Sequence, residues 1–159
     1  MRIGTLAYRQ FLFVNSCVGR TLGPYKFQGQ GAQSLINYQD PHGSTPLHAV
    51  AATGRVAVTE QLLQARCNVD LLDQNGYSPL HAAAQNGHVT VTKQLIVARC
   101  NVYLQMEKGF TTLYCASQYG HASVTEQLIE ARCNINLQAK DGSAPLHITA
   151  QNGHPSLIN

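Results

Sequence analysis

Five cysteines and seven histidines are the side chains of this 159-residue chain best suited to bind a metal ion or form disulfides. Three cysteines, Cys67, Cys100 and Cys133, recur every 33 residues, but no Cys-x-x-Cys or His-x-x-x-His pair provides metal-ligand spacing. If these thiols lie on neighbouring stacked helices, about 8 to 10 Å apart, they exceed the roughly 7 Å Cα limit for a disulfide. The spacing therefore predicts small buried side chains, no metal site and a reducing compartment.

The histidines follow the same period. Six of them fall into two sets, one being His48, His81 and His147 and the other His88, His121 and His154, and only His42 stands apart. No nucleophile or carboxylate recurs beside them, and the chain has no paired carboxylates and no glycine-rich phosphate loop. We therefore predict structural histidines, no catalytic residues, no cofactor and no enzymatic activity, and an enzyme with an unusual site is the least favoured interpretation.

A repeated unit must position these residues, and its local signals describe two short helices. The segments Thr45-Pro46-Leu47-His48, Ser78-Pro79-Leu80-His81 and Ala144-Pro145-Leu146-His147 share one phase. Proline suits the first position of a helix, and a preceding Thr or Ser hydroxyl can cap that helix. A glycine such as Gly87 ends it, an amphipathic segment such as Val89 to Ile96 predicts a second helix, and an Asn-Gly turn marks a projecting loop.

These motifs and their period resemble those of the ankyrin repeat family. The resemblance implies an all-α solenoid of four stacked helix-turn-helix units with hairpin-like fingers, the last unit incomplete. It assigns residues 36–159 to an ankyrin repeat domain, with repeats at about 40–72, 73–105, 106–138 and 139–159. It also implies that partners bind at the finger tips and on the concave side of the first helices.

The first 35 residues form a basic leader outside the repeats. This segment has no acidic residue and four basic ones, Arg2, Arg9, Arg20 and Lys26. We expect a poorly ordered segment or a partial N-terminal cap, with a mitochondrial leader as the alternative. Its longest apolar run is far shorter than the roughly 18 residues that span a membrane, and the repeats lack a basic stripe. The sequence thus favours an intracellular, cytoplasmic protein that binds neither membranes nor nucleic acid.

Arginine stands near the end of each second helix, where ankyrin repeats usually have glycine. Arg66, Arg99 and Arg132 each cost up to about 1 kcal/mol if the backbone there is left-handed. One interpretation is an arginine ladder that binds an acidic partner. The other is the copying of one ancestral repeat, which we favour because the flanking alanines, cysteines and asparagines recur as well.

The third repeat departs furthest from the family pattern. Its segment Thr111-Thr112-Leu113-Tyr114 lacks both the proline and the histidine. Met106 stands where the earlier repeats have Asp40 and Asp73. We therefore predict that the first helix of this repeat has the weakest start of the four.

The predicted function is that of a protein-protein interaction module, a scaffold or adaptor whose partner is another protein of unknown identity. Tyr77, Phe110 and Tyr119 are candidate hot spots, because aromatic side chains carry much of the binding energy at interfaces; the alternative is sequence drift, with Tyr114 filling the space of an imidazole. The other candidate partner-binding residues are His42, Gln74, Asn75, Gln85, Asn86, Glu107, Lys108, Gln118, Lys140, Asp141, Gln151 and Asn152. The alternative function is a targeting part of a larger multidomain protein, such as a kinase, a ubiquitin-ligase adaptor or a channel.

The fourth repeat stops early in this sequence. Asn159 corresponds to Glu60, so equivalents of Leu62 and Leu63 are missing, which forgoes roughly 3 to 6 kcal/mol of burial. We expect residues after about Gly153 to fray. We also expect the uncapped repeat either to continue in a longer protein or to be covered by self-association.

Overall fold

Two layers of short helices make up the fold. The computed structural model describes residues 36–154. Within this range seven helices have defined bounds: α1 Pro46–Thr53, α2 Val56–Gln64, α3 Pro79–Gln85, α4 Val89–Val97, α5 Thr112–Gln118, α6 Ala122–Glu130 and α7 Pro145–Gln151. The leader predicted at residues 1–35 lies outside the described residues, as do residues 155–159, where most of the expected fraying falls.

The first helices of successive repeats pack in one layer and the second helices in another. α1 contacts α3, α3 contacts α5 and α5 contacts α7, while α2 contacts α4 and α4 contacts α6. Leu47, Leu80 and Leu113 of the first layer are buried, as are Val91 and Val124 of the second. The core therefore runs between the layers from repeat to repeat, as in a solenoid, and the predicted all-α architecture is confirmed.

Hydroxyl groups and histidines together fix the starts of α1 and α3. The hydroxyl oxygen of Thr45 accepts the N–H of His48, and Nδ1 of His48 accepts the N–H of Thr45 at 3.1 Å. Ser78 and His81 repeat this reciprocal arrangement at α3. Both bonds satisfy N–H groups that the first turn of a helix leaves unpaired, which stabilises each start by about 1 kcal/mol.

The starts of α5 and α7 each keep a different part of the arrangement seen at α1 and α3. Thr111 keeps the hydroxyl cap of α5, because its side-chain oxygen accepts the N–H of Tyr114 at 3.0 Å. Ala144, at the same position before α7, has no side-chain oxygen and makes no such bond. α7 keeps Pro145 and the bond from the N–H of Ala144 to Nδ1 of His147 at 3.2 Å. That α5 has the weakest start stays a prediction.

His48 and His81 also join their helices to the next repeat. Nε2 of His48 lies 2.9 Å from the carbonyl oxygen of Tyr77, and Nε2 of His81 lies 3.3 Å from that of Phe110. Burial lowers the pKa of both imidazoles, that of His81 to about 4. These two rings therefore stay neutral near pH 7, and each bridges the start of a first helix and the adjacent loop.

The second set of histidines packs against glycines of the preceding repeat. A Cβ added to Gly54 would lie 2.5 Å from Nδ1 of His88, and one added to Gly87 would lie 2.6 Å from Nδ1 of His121. Nε2 of His88 is also 3.0 Å from the carbonyl oxygen of Ala52. Because the ring occupies the space of a missing side chain, each glycine is required by the histidine stacked on it.

The loops that precede the first helices form four fingers, which we number 1 to 4 and which span residues 40–44, 73–77, 106–110 and 139–143. In each finger the N–H of the first residue bonds to the carbonyl of the fifth, as Asp73 does to Tyr77 at 3.0 Å. Neighbouring fingers are also joined through the backbone, by the N–H groups of Gln74, Glu107 and Lys140, which donate to the carbonyls of His42, Asn75 and Lys108 at 2.9 to 3.0 Å. The four fingers form one hydrogen-bonded row.

The second helices end in the left-handed backbone that the sequence suggested. The φ angles of Arg66, Arg99 and Arg132 are 58°, 61° and 60°, a region that glycine adopts more readily than arginine. The cysteine after each arginine is a free thiol. Burial raises the pKa of Cys67 to about 11 and that of Cys100 to about 12. These thiols are therefore protonated and act as small packing groups.

Candidate partner-binding site

The residues predicted to bind a partner lie on the fingers and at the C-terminal ends of the first helices. Three of them, Tyr77, Gln85 and Phe110, are half-buried. The others are exposed: His42, Gln74, Asn75, Asn86, Glu107, Lys108, Gln118, Tyr119, Lys140, Asp141, Gln151 and Asn152. These half-buried residues all belong to the second and third repeats. The predicted side chains that pack most closely against the fold are therefore found there.

Gln85, at the end of α3, connects two of the predicted aromatic residues. The hydroxyl of Tyr77 donates to Oε1 of Gln85 at 2.8 Å. Nε2 of Gln85 lies 3.5 Å from the hydroxyl oxygen of Tyr119, at the outer limit of a hydrogen bond. Burial raises the pKa of Tyr77, so its hydroxyl remains a donor. Tyr77 and Tyr119 therefore come from adjacent repeats and lie on one surface, with the amide between them.

Phe110 is held by the tyrosine that replaces the histidine of the other repeats. The rings of Phe110 and Tyr114 stack with their centroids 4.4 Å apart and an interplanar angle of 17°. Tyr114 is buried, and its hydroxyl lies 3.4 Å from Oγ of Ser143 in finger 4. Tyr114 thus occupies the place of the imidazole and still reaches the next finger. Phe110 is consequently a fixed side chain that stays half-buried.

A pocket of about 480 Å³ lies between fingers 2 and 3 and the end of α3. It is lined by Asp73, Asn75, Tyr77, Gln85, Met106, Glu107, Lys108 and Phe110. Sequence reasoning missed Asp73 and Met106, although Met106 had been noted as a departure from the aspartate of the earlier fingers. One oxygen of Asp73 accepts the N–H groups of Asn75 and Tyr77, each at 2.8 Å. The same carboxylate therefore shapes finger 2 and contributes negative charge to the pocket.

Charge is divided unequally between the two sides of the described chain. The fingers carry four carboxylates and two ammonium groups, from Asp40, Asp73, Glu107, Asp141, Lys108 and Lys140, and the first helices carry no charged residue. The second helices and the turns beside them carry five basic and four acidic residues. The finger side is therefore net negative and attracts cationic groups at long range.

Several predicted residues use their polar groups within the fold. Nε2 of Gln74 donates to the carbonyl of Pro41, and Nδ2 of Asn86 donates at 2.8 Å to a carbonyl in the preceding turn of its own helix. Nδ2 of Asn152 donates to the carbonyl of Gln118 at 2.9 Å. A further group lies outside the pocket, in fingers 1 and 4 and at the end of α7: His42, Lys140, Asp141 and Gln151. Six of the fifteen predicted residues thus line the pocket.

Other kinds of site were sought in the same part of the chain. Across residues 36–154, no three His, Cys, Asp or Glu side chains are grouped so that they could hold a metal ion. None of the helices α1 to α7 is long and apolar enough to cross a membrane. The most buried histidine, His81, has its ring nitrogens in contact with Ser78 and Phe110, which is a structural role.

Comparison with known proteins gives the same architecture. The family model described as ankyrin repeats, in three copies, matches residues 25–105 and again residues 84–159. No curated protein matches the chain. Together the two matches span every helix from α1 to α7. Ankyrin repeats generally serve as binding modules for other proteins and are typically not catalytic. The chain belongs to the ankyrin repeat family.

Proposed function

We propose that this chain binds another protein through its fingers and the adjacent ends of its first helices, with Tyr77, Phe110 and Tyr119 at the centre of the contact. The observation that carries the proposal is the pocket between fingers 2 and 3, whose two aromatic rings are held by Gln85 and Tyr114. Aromatic side chains that are already fixed lose little conformational entropy on binding. They are the residue type most often found at interface hot spots.

Truncation of the aromatic residues tests this proposal. The wild-type chain, Phe110→Ala and Tyr119→Ala are used to capture partners from a cell extract, and the affinity of each captured partner is then measured. We expect both variants to lose about 2 kcal/mol or more of binding free energy. Partners that bind both variants as tightly as the wild type contradict the proposal.

The controls separate binding from folding. Val97→Ala removes an apolar side chain that is 73% exposed at the end of α4, in the layer of second helices, and should leave binding unchanged. Phe110 also packs on Tyr114, so the unfolding free energy of each variant is measured alongside its affinity. Tyr119, which is 51% exposed, reports on binding with little effect on the fold.

Self-association through the fourth repeat is a second proposal, favoured by the exposure of one leucine. Leu146 of α7 is 58% exposed, whereas its equivalents Leu47, Leu80 and Leu113 are at most 4% exposed. An apolar surface of this kind is covered in inner repeats by a second helix. Light scattering over a range of concentrations tests the proposal, with Leu146→Lys expected to shift the chain towards monomer. A wild-type chain that stays monomeric at every concentration rejects it.

The cellular setting stays a prediction. We place the chain in the cytoplasm, because its buried thiols at Cys67, Cys100 and Cys115 are free and no disulfide staples the described repeats. Microscopy of the tagged full chain checks this placement. The role as a targeting part of a larger multidomain protein is tested by the length of the native transcript.

A further inference from the structure

Building on the proposed function, we infer that the pocket between fingers 2 and 3 accepts an arginine side chain of the partner. The pocket combines carboxylates, fixed aromatic rings and a volume of about 480 Å³. An arginine is the side chain that uses all three, because its guanidinium is a planar cation with five N–H donors on a long aliphatic stem.

The charged groups that line the pocket are two carboxylates and one ammonium group. Asp73 uses one carboxylate oxygen for finger 2, and its other oxygen makes no hydrogen bond within residues 36–154. The Glu107 side chain is exposed, and it makes no ion pair with another residue of the range 36–154. Lys108 is the one cation among the lining residues. A donor-only partner group therefore fits this lining better than a carboxylate does.

Two aromatic rings supply the apolar walls. Tyr77 is fixed by its hydrogen bond to Gln85, and Phe110 by its stack on Tyr114. A guanidinium placed over such a ring gains a cation-π interaction, and its methylene stem covers apolar surface. An aliphatic side chain would cover the rings equally well, but it would desolvate Asp73 and Glu107 without pairing them.

The surroundings of the pocket favour the same choice. The finger side is net negative, with four carboxylates against two ammonium groups, so a basic segment is attracted before it makes contact. Arginine is favoured over lysine because a planar fork can stack on a ring and bond a carboxylate at once, whereas an ammonium is a compact point charge.

The test starts from peptides selected for binding. A displayed library of random peptides is selected on the full chain and counter-selected on Phe110→Ala, and the affinities of the enriched peptides are measured. We expect a conserved arginine in these peptides. Its replacement by citrulline, which keeps the shape and loses the charge, should weaken binding at least about tenfold.

Substitutions that remove a single charge beside the pocket should change the affinity for an arginine peptide in opposite directions. Glu107→Gln should weaken binding of an arginine peptide about fivefold, and Lys108→Gln should strengthen it about twofold, because each removes one charge near the guanidinium. Glu130→Gln, at the end of α6, is the matched control and should change nothing. All three residues are exposed, so none of these variants is expected to disturb folding.

The possible failures are distinguishable. Peptides that depend on Phe110 but tolerate citrulline, or that carry aliphatic or acidic residues instead of arginine, overturn the arginine pocket and leave the proposed function standing. Enriched peptides that bind Phe110→Ala and Tyr119→Ala as well as the wild type overturn the proposed function itself. A selection that yields no peptide dependent on Phe110 counts against both.

Discussion

The second and third repeats solve the same structural problem with different chemistry. In the second repeat, His81 caps α3 and reaches the carbonyl of Phe110 in the next finger. In the third, Tyr114 stacks on Phe110 and reaches Ser143 in the next finger. One joint relies on a neutral imidazole that forms hydrogen bonds, and the other on aromatic packing. The joint between repeats therefore needs a buried side chain of suitable reach, not a particular functional group.

The largest expected effect comes from removing the aromatic joint. Tyr114→Ala deletes a buried ring and leaves Phe110 without its stacking partner, so we expect a loss of about 3 to 5 kcal/mol in unfolding free energy. Urea denaturation of the two proteins gives the value. Tyr114→Phe keeps the ring and should lose about 1 kcal/mol or less. A loss below about 1 kcal/mol for Tyr114→Ala would show that the aromatic joint contributes little to the unfolding free energy.

Acidification should weaken the second repeat and spare the third joint. The pKa of His81 falls from its ordinary value of 6.5 to about 4 in the folded chain, because burial disfavours the charged ring. The unfolded chain therefore binds more protons between these values, and stability that is complete above about pH 6.5 is lost as the pH falls towards 4, by on the order of 2 kcal/mol. Unfolding free energies at pH 7 and pH 4.5 measure this loss.

A variant that does not titrate isolates the contribution of His81. His81→Gln is less stable than the wild type at pH 7, but it should lose less stability on acidification, since no imidazole remains to be protonated at this position. Carboxylates titrate in both proteins and cancel in the comparison. Equal pH dependence in the two proteins would show that this joint does not control the acid response.

The missing cap of the fourth repeat can be restored from the pattern of the second. Ala144→Ser places a hydroxyl where Ser78 has one, with His147 already accepting the N–H of residue 144 at 3.2 Å. We expect α7 to gain about 1 kcal/mol, and Ser78→Ala to cost α3 a similar amount. Hydrogen exchange of the α7 amides measures the gain. Unchanged exchange would mean that the end of the stack is limited by its packing and not by its cap.

The smallest expected effect concerns the arginines that close the second and third repeats. Arg99→Gly and Arg132→Gly relieve a left-handed backbone at φ near 60°, so each should stabilise the fold by at most about 1 kcal/mol. Thermal unfolding of the single variants compares the two repeats. A loss of stability in either variant would show that its arginine side chain makes a contact worth more than the strain.

The helix starts and helix ends could be predicted from the sequence, because each depends mainly on the type of one residue. The prolines after Thr45 and Ser78 marked helix starts, and the glycines at the ends of the first helices marked their ends. A left-handed backbone at Arg66, Arg99 and Arg132 was considered only as a condition, taken from the family's glycine, and the structure has it at all three. The prediction about α5 counted the lost proline and histidine and overlooked the hydroxyl of Thr111, which still caps the helix, and it stays a prediction.

The candidate site was harder to predict because it depends on side-chain contacts within and between repeats. The sequence grouped Tyr77, Phe110 and Tyr119 as candidate hot spots but assigned them no contacts with neighbouring side chains. It did not indicate that Gln85 lies between the two tyrosines or that Tyr114 holds Phe110. The contact between Gln85 and Tyr119 spans 34 residues and joins two repeats. The Tyr77–Gln85 hydrogen bond and the Phe110–Tyr114 stack are local, but they form only because a finger folds back onto the helix that follows it. The binding role of these residues stays a prediction.

The contact between each glycine and the next repeat's histidine has a consequence for how such chains lengthen. Gly54 belongs to one repeat and His88, which fills the space above it, belongs to the next. A repeat that is duplicated as a whole thus carries a histidine for the unit before it and a glycine for the unit after it. At this contact the new copy needs no compensating mutation on either side. The pairing of glycine and histidine is therefore preserved whenever an array lengthens by a whole repeat.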